Sequence, residues 1–317
     1  MALQRLGKTD VEISPLGLGC WQFSEGKALL SVGWYWPALE PAVVDAIVRR
    51  CIQGGINWFD TAEAYGNGAS ERETARSLQS VGAAPGTVVI ATKWNPIGRT
   101  AGSIGATIEA RLDALKPYPI DLHQVHQWAG LSSVEAEMDG MAALVAAKKI
   151  RAIGVSNFNQ QRMRRAHAAL ATRGLPLASN QVKYSLLDRR IEKSGLLAAA
   201  KELGVTIIAY SPLEQGLLSG KFHDDPSLVA KTGVRRFTPG FRDLEKSRPL
   251  ISLLQEIAKA HGATPSQVAL AWMLQFHGGT VVAIPGASKE KHADENVGAM
   301  GLKLTSAELA AIDERAR

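Results

Sequence analysis

The strongest constraint in this chain is an alternation that runs through nearly all of its 317 residues. A short apolar run is followed by a longer segment with apolar residues at helical spacing, and the pair repeats about eight times. The apolar runs cover residues 13–18, 56–59, 88–93, 120–126, 150–155, 178–182, 205–210 and 281–284. They are almost continuously apolar, as strands are when both faces of a parallel sheet are covered. Helical spacing runs over 41–53, 70–79, 103–115, 133–148, 160–171 and 194–203. Pro41 suits a first helical turn, and Gly54-Gly55 suits the stop. Right-handed crossovers between successive parallel strands leave an open sheet or a closed ring. Eight units in this length favour the ring: an α/β fold, a (β/α)8 barrel, as a single domain over residues 1–317. Two stretches break the pattern. Leu213 to Arg248, after the seventh strand, is long, glycine-rich and charged, and such a loop in a compact domain is usually a functional lid. The shorter insertion Phe23 to Ala38 carries Trp34-Tyr35-Trp36, as a lid over the core or part of a substrate wall.

Composition removes several function classes. With 46% hydrophobic and 21% charged residues the chain is neither disordered nor a coiled coil. No run approaches the length of a membrane span, and Met1 to Asp10 lacks the apolar core of a secretory signal. Two cysteines, Cys20 and Cys51, cannot build a disulfide framework and suit a reducing compartment, so the expected location is cytoplasmic. The net charge of +6 (36 basic against 30 acidic residues) is scattered, which argues against a nucleic-acid partner. The more specific use for it is a basic pocket around a phosphorylated cofactor.

In a barrel of this kind the site lies at the C-terminal ends of the strands. Strand two ends in Asp60, and Tyr65 follows in the loop Asp-Thr-Ala-Glu-Ala-Tyr-Gly. Strand three ends in Lys93 and strand four in His126. Each alone has an ordinary structural explanation; their position at one end of three adjacent strands does not. A carboxylate facing a lysine keeps it charged, and a charged lysine lowers the pKa of a nearby phenol. Such a tyrosine can give a proton to a carbonyl oxygen and take one back in reverse. A histidine beside it can orient the carbonyl and stabilise the charge that develops on oxygen. The hydride must come from a cofactor. Gly17-Leu18-Gly19 lacks the third glycine of a dinucleotide-binding turn, so the phosphates are expected on the last two strands. His123 and His126 are three apart on a strand and face opposite sides, so they cannot chelate a metal together, and no metal site is expected.

These residues sit within longer motifs. Gly-Leu-Gly-Cys-Trp (17–21), Gly-Ile-Asn-Trp-Phe-Asp-Thr-Ala-Glu-Ala-Tyr-Gly (55–66), Asp-Leu-His-Gln-Val-His (121–126), Ile-Gly-Val-Ser-Asn-Phe (153–158) and Ala-Tyr-Ser-Pro-Leu (209–213) resemble those of the aldo-keto reductase superfamily, over nearly the whole chain. The resemblance implies metal-free, NADPH-dependent reduction of aldehydes and ketones. Tyr65 would be the acid, Lys93 and Asp60 its tuning pair, and His126 the group that positions the carbonyl. It also implies a cofactor set. Ser156, Asn157 and Gln181 would bind the nicotinamide carboxamide, and Tyr210 would stack on the ring. Ser211, Pro212 and Leu213, then Gly216, Leu217, Ser219, Gly220 and Lys221, would wrap the pyrophosphate. Glu295 and Asn296 would read the adenine, with Gly19, Cys20, Trp21, Ile284 and Gly286 completing the cleft. Ser288, Lys289 and His292 stand where many relatives place a Lys-Ser pair and an Arg for the 2′-phosphate. Lysine is a point charge and histidine is only partly charged at neutral pH, so selection of NADPH over NADH rests on weaker groups here.

Trp21, Trp94 and Trp128 each follow a strand and are expected to wall the substrate pocket, flat and apolar, for a bulky small-molecule carbonyl. The chain ends at Arg317 soon after its last helix, without the long tail that closes the pocket in some relatives, so an open pocket is expected. The stretch from Arg173 through Leu187 is similar to plant and microbial pyridoxal reductase-like members, which makes pyridoxal one candidate substrate. The alternative is a nucleotide sensor on the same fold, like a channel β subunit, with slow turnover. The intact four residues, and a first motif that begins near Leu6, favour the enzyme. Monomer and homo-oligomer both remain open.

Overall fold

The computed structural model describes residues 3–24 and 37–317. The aromatic cluster Trp34-Tyr35-Trp36 therefore lies outside the described residues. The chain opens with an antiparallel hairpin, β1 (Gln4–Arg5) and β2 (Glu12–Ile13). The alternation follows: β3 (Leu18–Gly19), α1 (Pro41–Gln53), β4 (Trp58–Asp60), α2 (Ala69–Ser80), β5 (Val89–Trp94), α3 (Gly102–Leu115), β6 (Ile120–Val125), α4 (Val134–Ala146), β7 (Ile150–Ser156) and α5 (Gln160–Ala171). Then come β8 (Leu177–Lys183), α6 (Arg190–Lys193), α7 (Leu196–Leu203) and β9 (Thr206–Tyr210). The last third holds α8 (Lys221–Asp224), α9 (Pro239–Arg242), α10 (Arg248–Ala260), α11 (Pro265–Phe276), β10 (Val281–Ala283), α12 (Glu290–Gly301) and α13 (Ser306–Arg315).

Among the described residues, β3 to β10 form one eight-stranded sheet, every neighbouring pair parallel and in chain order. The first and last strands then meet. The Gly17 amide donates to the Ala283 carbonyl at 2.9 Å and the Gly19 amide to the Pro285 carbonyl at 3.2 Å, with parallel bridges at Leu16–Ala283 and Gly19–Gly286. The expected barrel is the observed architecture. Glycine is needed at this seam: a Cβ on Gly19 would lie 2.8 Å from the Ile284 carbonyl oxygen. No helix among the described residues is long and apolar enough to cross a membrane.

Two apolar clusters follow from the period of two along each strand. One face packs against the helices in the larger core. The other fills the lower barrel with Trp58, Val89, Ala91, Leu122, Ala152, Ile208 and Val282, capped from below by Leu6, Val11 and Ile13 of the hairpin. The lower end is therefore plugged by apolar side chains, and polar side chains are left to the upper end.

Two expectations need correction. The run 13–18 is not one strand: Ile13 ends the hairpin, and the barrel strand is only Leu18–Gly19. Pro15 lacks an N–H to donate, and Ser14 hydroxyl turns back to the Leu16 carbonyl at 2.6 Å. The loop after the seventh barrel strand is long, as read, but it is not featureless. Short helical turns fill it at Glu214–Ser219, Lys221–Asp224, Pro226–Phe237 and Pro239–Arg242. Leu217, Phe222 and Phe241 give it a small core of its own, with the two phenyl rings 4.9 Å apart. Alternation shorter than a helical turn leaves no period for a sequence reading to find.

Candidate active site

The polar layer sits one pleat above the apolar filling. Along β4 the inward positions are Trp58 and then Asp60; along β5 Val89, Ala91 and Lys93; along β6 Leu122 and Gln124. Asp60 and Lys93 are completely buried. Lys93 Nζ donates to Asp60 Oδ1 at 2.5 Å and to the Thr61 carbonyl at 2.8 Å. Asp60 Oδ2 accepts from Gln181 Nε2 at 2.8 Å and from Gln124 Nε2 at 3.1 Å. The carboxylate is thus held from three strands, and its charge faces one ammonium.

Lys93 Nζ lies 5.0 Å from the centroid of the Tyr65 ring. The Tyr65 and His126 rings meet edge to face at 5.5 Å, and the Trp21 ring lies 6.2 Å from Tyr65. The four residues read from the sequence are therefore brought together at the upper end. Burial disfavours a charged Lys93, but Asp60 and then Tyr65 outweigh it and hold the ammonium above its usual range. His126 is pushed down to about 3 by burial and by Lys93, so its imidazole is neutral across physiological pH. Tyr65 differs from expectation. Lys93 does pull the phenol down, but burial is the larger effect and the pKa is raised. At neutral pH the phenol is therefore a protonated donor.

Gln124 and Glu63 escaped the sequence reading. Gln124 lies on β6 two residues before His126, which follows the strand, and that spacing was the signal for it. Glu63, between Asp60 and Tyr65, carried no such signal.

Around the centre stand the segments that follow β7, β8 and β9. Asn157 has φ +60°, a conformation that costs a non-glycine residue free energy and is kept where surrounding bonds impose it. Its Nδ2 donates to the His126 carbonyl at 3.2 Å and to Ser156 Oγ at 3.1 Å, and its Oδ1 accepts from the Tyr210 hydroxyl at 3.1 Å. Asn157 therefore joins the His126 loop to the end of β9. Gln181 is adjacent through backbone pairing, but its amide is turned onto Asp60. Ser211 has φ +51° and Pro212 is buried beside it; Leu213 packs on the helix-facing core. Gly216 and Gly220 have φ of +96° and +81°. Ser219 Oγ donates to the Gly216 carbonyl at 2.6 Å, which closes the turn.

In the segments that follow β9 and β10, cations converge. The Lys221 ammonium is pulled down by burial and then by Arg235 and Lys289, with Glu295 the one opposing carboxylate. His292 is lowered by burial and then by Lys221, Lys289 and Lys291, and its Nδ1 accepts from the Ser288 amide at 3.3 Å. Like charges held together repel one another, and an anion bound among them relieves that repulsion. Next to them, Asn296 is 2% exposed and its Nδ2 has no protein partner. A buried unpartnered donor beside a cationic cradle fits a nucleotide with a base and phosphates.

Four assigned residues turn their side chains into apolar packing. Trp94 is one position out of phase with Lys93, so it faces the helices; it is 1% exposed and its Nε1 donates to Ser103 Oγ at 3.0 Å. Cys20 is fully buried with its thiol against the Leu18 carbonyl at 3.5 Å, and its amide and carbonyl are taken by the Asp60 carbonyl and the Ser70 hydroxyl. Burial pushes that thiol well above its usual range. Leu217 belongs to the core of the long loop, and Ile284 turns into the barrel interior. In each case the period of the strand or a local apolar cluster sets the direction, which a motif does not show. Trp128 does lie at the rim, 55% exposed, with the Arg162 guanidinium 6.0 Å from its ring and donating to its carbonyl at 2.8 Å. Gly286 lies in the seam, where a Cβ would strike Gln22.

The family model for the aldo/keto reductase family matches residues 15–317. The chain belongs to the aldo/keto reductase family. Pyridoxal reductase, chloroplastic, from Arabidopsis thaliana is 34% identical over 320 residues, covering 96% of this chain and 84% of that protein. An uncharacterised oxidoreductase of Mycobacterium tuberculosis is 36% identical over 311 residues, covering 96% of this chain and 90% of that one. Among solved structures, a thermostable aldo-keto reductase in complex with the inhibitor epalrestat superposes with a TM-score of 0.79 at 30% identity, covering 99% of this chain and all of that one. This aldo-keto reductase is accordingly an oxidoreductase, of a family that reduces carbonyl groups with a nicotinamide cofactor.

Proposed function

We propose that this aldo-keto reductase reduces aldehydes and ketones with NADPH, that Tyr65 is the general acid, and that the whole chain acts as one barrel domain. The observation that carries the reading is the buried Asp60–Lys93 pair beneath Tyr65, with His126 edge-on to the phenol. NADPH, when bound, supplies the hydride to the carbonyl carbon. Ser156, Asn157 and Tyr210 would hold its nicotinamide, Lys221, Lys289 and His292 its phosphates, and Glu295 and Asn296 its adenine. Tyr65 donates its hydroxyl proton to the carbonyl oxygen as negative charge builds there. Lys93 stabilises the resulting phenolate, and Asp60, fixed by Gln124 and Gln181, keeps Lys93 charged and aimed. His126, neutral, donates an N–H to the same oxygen and so fixes which lone pair faces Tyr65. Two unpaired, buried cysteines fit the reducing cytoplasm, which is the location we propose.

The substrate reading is an aromatic or bulky carbonyl compound, with pyridoxal a candidate through the Arabidopsis relative. Trp128 supplies the exposed apolar wall at the mouth. Trp128→Ala is expected to raise KM for aromatic aldehydes roughly tenfold, with kcat little changed, because wall contact is uniform binding. A matched fall in kcat would place Trp128 closer to the reacting atoms. For the cofactor, Lys289→Ala is expected to weaken NADPH by about tenfold and NADH by less than about twofold, as loss of one charge contact to the 2′-phosphate implies. Equal losses would show that Lys289 does not touch that phosphate.

The test of the whole reading is a paired fluorescence titration with NADPH and NADH, followed by turnover on an aldehyde panel that includes pyridoxal. Tight NADPH binding with turnover supports it. Tight binding without turnover favours a nucleotide sensor, and no binding of either cofactor removes the reading.

A further inference from the structure

One buried carboxylate at the site is not used by that chemistry. Glu63 is 5% exposed and sits in the loop between Asp60 and Tyr65. Its backbone amide donates to the Lys93 carbonyl at 3.4 Å, and its Oε1 accepts from the Asn95 amide at 2.5 Å. It therefore grips the end of β5 on both sides of Trp94, at the Lys93 carbonyl and the Asn95 amide. Its carbonyl accepts from the Gly68 amide at 2.8 Å, and Ser70 donates to the Tyr65 carbonyl at 3.1 Å, so the loop that carries Tyr65 is wound around it. The carboxylate is charge-matched from outside: Arg99 donates to Oε1 and Arg111 to Oε2, both at 2.7 Å.

Arg111 continues the network to the next element. Its Nε lies 2.8 Å from Glu71 Oε2, off the hydrogen-bonding direction. Glu71 Oε1 accepts from the Thr92 hydroxyl at 2.6 Å, and Thr92 is the neighbour of Lys93. The two chain segments that must hold Tyr65 against Lys93 thus share one ionic hub, and each is bound to it more than once. We propose that Glu63, held by Arg99 and Arg111, is a positioning residue that sets Tyr65 against Lys93 for proton transfer. This rests on the reading of Tyr65 as the acid.

A hub of this kind also has a purely structural use, and the two make different predictions. Loss of structure removes active molecules, lowering the amplitude of a single turnover and leaving its rate constant alone. Misplacement lowers the rate constant, because proton transfer is steep in donor distance; a displacement near 1 Å costs up to about a hundredfold. The experiment is stopped-flow single turnover with NADPH and a good aldehyde at saturation, in H2O and D2O, on wild type and Glu63→Gln. The expected result is a rate constant lower by about tenfold to a hundredfold, a larger solvent deuterium isotope effect, and an NADPH Kd within about twofold of wild type. A wild-type rate constant and isotope effect, whatever the amplitude, overturns the proposal. If Glu63→Gln does not fold, Arg99→Met decides. Arg99 is on the half-exposed side of the hub, and the isotope effect must still rise, with a rate loss of roughly threefold; an unchanged isotope effect overturns the proposal. Absence of turnover in wild type would remove the reductase reading itself, which keeps the two failures apart.

Discussion

Tyr65→Phe is expected to lower kcat/KM for aldehyde reduction by roughly a thousandfold, within the range that a placed general acid contributes. That factor corresponds to about 4 kcal/mol of lost transition-state stabilisation. The ring remains, so the edge-on contact with His126 and the packing beneath Trp21 survive, and NADPH affinity and folding should be close to wild type. Only the hydroxyl that gives the proton is gone. His126 cannot replace it: its proton-binding range lies near 3, so at pH 7 it carries no acidic imidazolium proton to donate. The checks are steady-state rates, an NADPH titration and a thermal melt on the same preparation. Wild-type turnover by the variant would mean that another group is the acid.

Lys93→Met should remove activity and stability together. Asp60 would be left buried with its charge unmatched, and breaking one side of a buried pair costs about 3–5 kcal/mol. In a chain of this size that is a fall in Tm of about 10 °C. Adding Asp60→Asn removes the stranded charge while keeping an acceptor for the Gln124 and Gln181 amides. The double variant should therefore recover most of the lost Tm and none of the lost turnover. Differential scanning calorimetry and rate measurements on the three variants separate the two effects. A double variant as unstable as Lys93→Met would show that packing of the lysine stem, not its charge, carries the stability; recovery of turnover would remove Lys93 from the chemistry.

Much of the fold is legible in the sequence. Eight almost continuously apolar runs, alternating with segments of period near 3.6, depend only on neighbouring residues and favoured a parallel α/β ring over an open sheet. The same local rule placed Asp60, Lys93 and His126 at strand ends, and a ring brings such ends together whatever the side chains are. What a linear reading could not show was direction and burial. Trp94 and Lys93 are adjacent in the chain but point to opposite sides of the sheet, one into the helix-facing core and one into the site. Tyr65 has its pKa set by how much water the folded loops exclude, so the pull of Lys93 lost to burial. Glu63 acquired its place only when Arg99 and Arg111, 36 and 48 residues downstream, arrived beside it. Local periodicity is written in the order of residues, whereas desolvation and ion pairing belong to neighbours that only folding supplies.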